Sequence, residues 1–372
     1  MTMPKEFLSS SVFGDLTKEV QIRFDAASEL NKQLFDQVIF ERYMHWDDPT
    51  IELDFEELIG KYNITIAAPT IGENAAEPIM GTSGVETLKE TLVNHALTLP
   101  MLMKTYRKIL SLLDSKLIKD EDKRNRLINL MMGDVKTVVN AVYGKLDMIF
   151  LGALSNEGTF TFDETTNPEG GVKGSISFNQ PGENIASCKT AWTLANIDTV
   201  DCFEDIQAIL DASQDKVALA KALLSPSRLS YMCRTKKMKQ LIWGTDKSSK
   251  PVLLRDINEF METNNYPIFE PIRRIVRIQK GREAIPYTPW NQDNIVFVPA
   301  GELGVVKNAY SDCELKPDDG VSYANYGRIV TSLWSVGQKE GSKHTEYTKA
   351  ESQSLPVITE MNGIYTLKTV VS

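Results

Sequence analysis

Three histidines, His45, His95 and His344, are the side chains best suited to move protons or hold a metal near neutral pH. Each stands alone, without a second ligand or an acid at motif spacing. Four cysteines, Cys188, Cys202, Cys233 and Cys313, are unevenly spread and lack the C-x-x-C pair that opens a zinc site or a redox motif, so they read as ordinary buried or half-buried thiols. The stretch Gly170-Gly171-Val172-Lys173-Gly174-Ser175 has the glycines of a phosphate loop but not its four-residue gap or its Gly-Lys-Ser/Thr ending, and reads as a flexible loop. Gly81-Thr82-Ser83-Gly84 is no nucleophile elbow. The expectation is therefore no catalytic residue, no cofactor-binding residue, no metal ligand and no cofactor.

Two basic clusters remain: Arg234, Lys236, Lys237 and Lys239, and Arg273, Arg274, Arg277, Lys280 and Arg282. In a chain of formal charge -9 they are expected to face water or the carboxylates of a neighbouring copy, not to grip nucleic acid by sequence. Asn63-Ile64-Thr65 matches a glycosylation acceptor by pattern only.

With 372 residues, 42% hydrophobic and 24% charged, the chain can bury the cores of two or three packed units. No uncharged apolar run reaches about 18 residues, and Met1 to Ser10 has neither the basic start nor the apolar stretch of a signal peptide. Synthesis and use in the cytoplasm, without a membrane, are expected.

Those residues need elements to hold them. An amphipathic helix is predicted around Leu16 to Tyr43, ended by Asp47-Asp48-Pro49 and followed by the acidic run Glu52 to Glu57. Strands are predicted at Tyr62 to Ile66 and Thr87 to Thr98, flanking a tip punctuated by Pro69, Gly72, Pro78, Gly81 and Gly84. The strongest periodicity lies between Asp122 and Leu154. There Leu127, Met131, Val135, Val138, Val142, Leu146, Ile149 and Ala153 form one stripe, with Arg124, Lys136 and Lys145 off it, so a helix of roughly 45 Å is predicted.

Strands and loops fill 156–190, and helices are predicted at Phe203 to Ala212, from Ser225-Pro226, and at Leu253 to Glu262. An apolar run occupies Val217 to Leu224, and β-prone stretches occupy Ile272 to Ile278 and Ile295 to Val298. The C-terminal strands are Arg328 to Val336, Thr345 to Lys349 and Ile364 to Val371, punctuated by Pro356 and the Asn362-Gly363 turn.

This order of elements resembles the major capsid proteins of lambda-like tailed phages, the capsid protein E family with the Hong Kong 97-like fold. Arg124 to Gly133 and Asp147 to Phe160 are similar to that family's spine helix and the strand after it; Ser225 to Met232 and Asn294 to Gly304 resemble a helix start and a late strand of its axial domain. Ser354 to Lys368 resembles its C-terminal signature, except that Glu360-Met361-Asn362 stands where the family carries an Asn/Asp-Pro pair, which leaves the shape of the last turn open.

The resemblance implies an α+β chain: an N-terminal arm (1–58), an extended β-hairpin loop (59–103), a peripheral domain with the long spine helix (104–194), an axial α/β domain (195–321) and C-terminal strands returning to the peripheral domain (322–372). It implies a non-enzymatic subunit of an icosahedral virion, first assembled in the host cytoplasm. Its implied partners are copies of itself in hexamers and pentamers, a separate scaffolding protein, a portal protein, in some shells a decoration protein, and packaged double-stranded DNA held without sequence specificity. An encapsulin-like nanocompartment shell and a soluble α/β enzyme are the alternatives.

The segment 69–84 holds five Gly or Pro residues and few large apolar ones. It has little burial to set against the roughly 1 to 2 kcal/mol per residue lost on ordering. Mild proteolysis of dissociated subunits should cut within 1–58 and near 69–84, whereas assembled particles should resist at both; equal protection in the two states would contradict this.

Overall fold

The computed structural model describes residues 38–59, 86–101, 120–245, 250–281, 283–319, 321–336 and 345–370, together with Arg107 and Ser111. The predicted helix up to residue 37, the Tyr62 to Ile66 strand, the 69–84 tip, Arg282 and His344 lie outside these residues.

The predicted long helix is α1, Asp120–Ser155, 36 residues and roughly 54 Å long. From Val135 onward the expected stripe of Val138, Val142, Leu146, Ile149 and Ala153 is buried. So are Val139, Met148, Phe150, Leu151 and Leu154 on its other faces, so the last turns need cover on every side. By length and composition Gly133–Ser155 could cross a bilayer, which a search for uncharged runs passes over. Its most apolar window is 78% buried inside the protein, and the apolarity is that of a core helix.

One cover is a six-stranded sheet. Its centre is β16, Thr345–Ile358, and its other strands are β1 (Met44–Trp46), β4 (Val93–Pro100), β13 (Gly304–Ala309), β14 (Ser322–Tyr326) and β15 (Ile329–Val336). Residues 347–351 of β16 pair with β15 and β4 at once, and residues 353 and 354 with β13 and β4. Hence β4 follows one edge of β16 while β15 and β13 succeed one another along the other.

The strand predicted at Thr345 to Lys349 extends to Ile358 and contains Pro356. Pro356 pairs with Val306 inside β16, beyond the point where the ladder to β4 stops at Ser354. A residue without an N–H can stand where one edge carries no ladder.

The second cover comes from chain segments on the helix flank. Phe40, in a 3-10 turn at Phe40–Arg42 where the sequence suggested α-helix, stacks on Tyr143 at 6.1 Å and meets Trp46 edge-on at 5.8 Å. Tyr43 stacks on Phe150 at 5.9 Å. Behind the helix C-terminus lies the hairpin β5 (Thr159–Phe162) and β6 (Gly174–Ser177). Phe160 comes so close to α1 that a Cβ on Gly152 would sit 2.6 Å from its ring, which requires glycine there.

A five-stranded sheet carries the second core, in the order β7 (Ile185–Ser187), β17 (Tyr365–Lys368), β12 (Asn294–Pro299), β8 (Leu219–Leu224) and β9 (Ile268–Pro271). Helices α2 (Cys202–Ser213), α3 (Pro226–Arg234), α4 (Lys236–Trp243) and α5 (Leu254–Thr263) contribute to that core. The predicted start of α3 is observed: Ser225 Oγ accepts from the Arg228 amide at 3.2 Å, with Pro226 in the first turn.

Two placements differ from the sequence division at 321/322. β13 belongs to the six-stranded sheet, and β17 lies between β7 and β12 in the five-stranded one, so the C-terminal segment serves both. The link is the short 3-10 turn Met361–Gly363, which sends the chain from β16 to β17 and gives the last turn its shape.

Val138→Asp or Val142→Asp would bury a lone carboxylate at a cost on the order of several kcal/mol, against a usual total stability of about 5–15 kcal/mol. Both side chains are at most 2% exposed. Loss of soluble folded protein in denaturant titration is expected; a stable, native-like variant would show that this face is not core.

Candidate functional site

The residues with chemical potential stay apart. His45, on β1, is exposed and pairs with Glu302 at 2.6 Å. His95, on β4, is buried, and burial, reinforced by the charge of Lys145, pushes its pKa down to about 3, so the ring is neutral. Cys188 and Cys202 are buried and Cys233 and Cys313 half-buried, all as free thiols. Burial and the neighbouring Glu351 carboxylate hold the Cys313 thiol up at about 11, opposite to the direction that makes a thiol reactive. Lys173, just before β6, is taken by Glu164 at 2.5 Å. Among the described residues no three His, Cys, Asp or Glu side chains converge as a metal site.

The structure does build a charged node that the motif search missed. Asp147 lies in α1 between Leu146 and Met148, fully buried. Its Oδ1 accepts the backbone amides of Ile39 at 2.8 Å and Phe40 at 2.9 Å, while Oδ2 faces Arg274 Nε at 2.7 Å. Three distant stretches therefore meet on one carboxylate: the segment before β1, the long helix and the chain leaving β9. Burial holds the carboxyl up at about 6, although Arg274 and the two amides pull it down. Arg274 thus departs from the expectation for its cluster, since it pairs within its own chain. A lone aspartate inside an apolar helical run is the signal that could have exposed it.

The end of α1 is fixed in a similar manner. Ser155 Oγ accepts the Asn291 amide at 2.9 Å, and Asn294 Nδ2 donates to the Ser155 carbonyl at 2.8 Å. Since the last turn of α1 has no basic residue, a neighbouring strand supplies a donor for its free carbonyls.

Beyond this body lie two-stranded ribbons. β2 (Asp54–Ile59) and β3 (Glu86–Thr91) pair only with each other, so the acidic run is a strand of the hairpin and not the end of an arm. Its charge is matched across the ribbon by Glu56–Lys89 at 2.5 Å and Asp54–Thr91 at 2.6 Å, and at its root by Lys307, which meets both Asp47 and Glu57 at 2.6 Å. The second ribbon is β10 (Val276–Lys280) with β11 (Glu283–Tyr287). Arg277 and Lys280 there, Arg273 just before it, and Arg234, Lys236 and Lys237 on the helical side are exposed.

No protein-family model matches the chain, and no curated protein matches it by sequence. Solved structures do. A phage-related protein of Bordetella bronchiseptica RB50 superposes with a TM-score of 0.51 at 11% identity, covering 90% of this chain and 92% of that one. A prophage protein of E. coli CFT073, described as a capsid protein, superposes with a TM-score of 0.50 at 12% identity, covering 77% and 81%. The chain has the Hong Kong 97-like fold. In this Hong Kong 97-like chain the long helix and the six-stranded sheet form one layered body, and Asp147 and Ser155 join it to the five-stranded unit.

Asp147→Ala should lower the unfolding free energy by about 3–5 kcal/mol, because it strands a buried guanidinium. Removal of the exposed Lys89–Glu56 pair should change it little. A carboxyl held near 6 binds its proton more tightly in the folded than in the unfolded state. Its contribution should therefore fall as pH rises from about 4 to about 6 and stay constant above. Denaturant titrations of the wild type and Asp147→Asn across that range should differ in slope; parallel curves would contradict the assignment.

Proposed function

We propose that this chain is the major capsid protein of a tailed double-stranded DNA bacteriophage, assembling with copies of itself into the hexamers and pentamers of an icosahedral shell around the genome. The observation that carries the proposal is the nearly end-to-end likeness in fold to a phage-related protein, 90% of this chain against 92% of that one, at only 11% identity.

The physical character of the surface supports it. The described residues form no metal cluster, and the clefts beside Ile51 and beside Tyr310 lie open to solvent, unlike an enclosed ligand pocket. Large apolar side chains stand in water instead: Ile51 is 73% exposed, Leu194 70% and Ile275 65%. The ribbons β2–β3 and β10–β11 end outside both large sheets, where another copy can meet them.

In this reading the arm and the hairpin rooted in β2–β3 clasp neighbouring capsomers, and the peripheral body on α1 forms the shell wall. The axial unit is the five-stranded sheet with its helices, including β17, and it surrounds the symmetry axes. The subunit is not an enzyme. A scaffolding protein guides assembly, a portal occupies one vertex, and a decoration protein binds where the shell has one. With a net charge of -9 the shell encloses double-stranded DNA through local basic faces and without sequence preference. Assembly takes place in the host cytoplasm and the product is the virion.

The test is to express the chain with its genomic neighbours and to sediment the product with and without nuclease. Closed particles that protect double-stranded DNA are expected. Particles filled with one defined protein and no DNA would transfer the chain to the nanocompartment class, and a monomer at all concentrations would overturn the shell reading.

A further inference from the structure

We infer that the chain carries both halves of a head-to-tail contact between copies: the row Arg273, Ile275 and Arg277 of one copy seats on the cleft beside Ile51 of the next. The inference rests on the shell reading and names surfaces that would carry it.

From Ile272 to Gln279 the chain alternates. Ile272, Arg274, Val276 and Ile278 turn inward, while Arg273, Ile275, Arg277 and Gln279 face water. In extended chain, alternate side chains lie about 7 Å apart on one side, so the two arginines flank a 65%-exposed isoleucine. Neither arginine has an ion-pair partner among the described residues, although Arg274 between them is ion-paired with Asp147. Two cations around an uncovered apolar side chain form a surface of the composition that protein interfaces favour.

The complement lies at the root of the β2–β3 ribbon. An open cleft of about 560 Å³ is lined by Ile51, Phe55 and Leu92, with carboxylates on its rim. Asp47 and Glu56 are answered within the chain by Lys307 and Lys89. Asp48 reaches only Arg328, at 3.3 Å with its side chain fully exposed, and Glu52 and Asp54 have no cation partner among the described residues. Ile51, 73% exposed, stands among these carboxylates as Ile275 stands between its arginines. The two surfaces are therefore opposite in charge, each around an exposed isoleucine. Because the halves are different surfaces of the same chain, their contact is heterologous, the kind that closes into a ring when the rotation between copies divides a full turn.

The experiment uses the full chain under conditions where the wild type forms particles, at low and physiological salt. The variants are Arg273→Glu with Arg277→Glu, Asp48→Lys with Glu52→Lys, and all four together. Each pair of reversals should lower the sedimenting fraction by about tenfold or more, and the fourfold variant should return it to within about twofold of the wild type. Assembly of both reversed pairs at the wild-type level would overturn the inference, as would a fourfold variant that stays unassembled. Normal assembly with DNA retention lost only in the arginine variants would overturn it too, and would assign the row to nucleic acid. A wild type that never assembles would count against the shell reading itself.

Discussion

A helix that is apolar on all sides cannot rest against a single sheet, and this constraint organises the molecule. From Leu146 to Leu154 every face of α1 is buried, so strands from four separate parts of the sequence must reach it. They are the 38–46 segment, β4, β12 and β16. The one ionisable group in that stretch, Asp147, is tolerated because two amides and a guanidinium meet it. The same three partners fix where the chain before β1 and the chain after β9 must run.

This arrangement makes a stiff body from parts that could otherwise move. The two sheets share segments, since β13 and β16 lead through one short turn to β17, and the end of α1 is held by Asn291 and Asn294 at the start of β12. A subunit repeated many times in a closed shell needs such stiffness, because small angular errors accumulate around a ring. Its outlying features are two-stranded ribbons that pair with no other strand, suited to bury their surfaces against another copy.

Local rules made much of the fold legible. The stripe from Val135 to Ala153 located α1, Ser225-Pro226 located α3, and Ile295 to Val298 located β12, because each depends on neighbours in sequence. Long-range pairing was not legible in the same way. Glu52 to Glu57 reads as the acidic end of an arm until Lys89, Thr91 and Lys307 are placed opposite it. Thr345 to Lys349 is only the visible part of a strand that runs on through Pro356, which is tolerated there because the ladder to β4 has already stopped. Arg274 could not be told from Arg273 and Arg277 by composition, since only the alternation of a chain packed on α1 turns it inward to Asp147. The exposed surfaces were not legible either, since they depend on which side chains the fold leaves uncovered.

The central claim is that this chain is a shell subunit whose five-stranded unit faces the symmetry axes and whose long helix lies in the wall. An electron cryomicroscopy map of particles assembled from the chain, at a resolution that shows helices, tests it directly. The account predicts closed shells with five- and six-membered rings, the sheet β7-β17-β12-β8-β9 nearest each axis and α1 running within the shell wall. Rings built the other way round, with α1 lining the axis and the five-stranded sheet at the rim, or a protein that forms no closed shell, would contradict it.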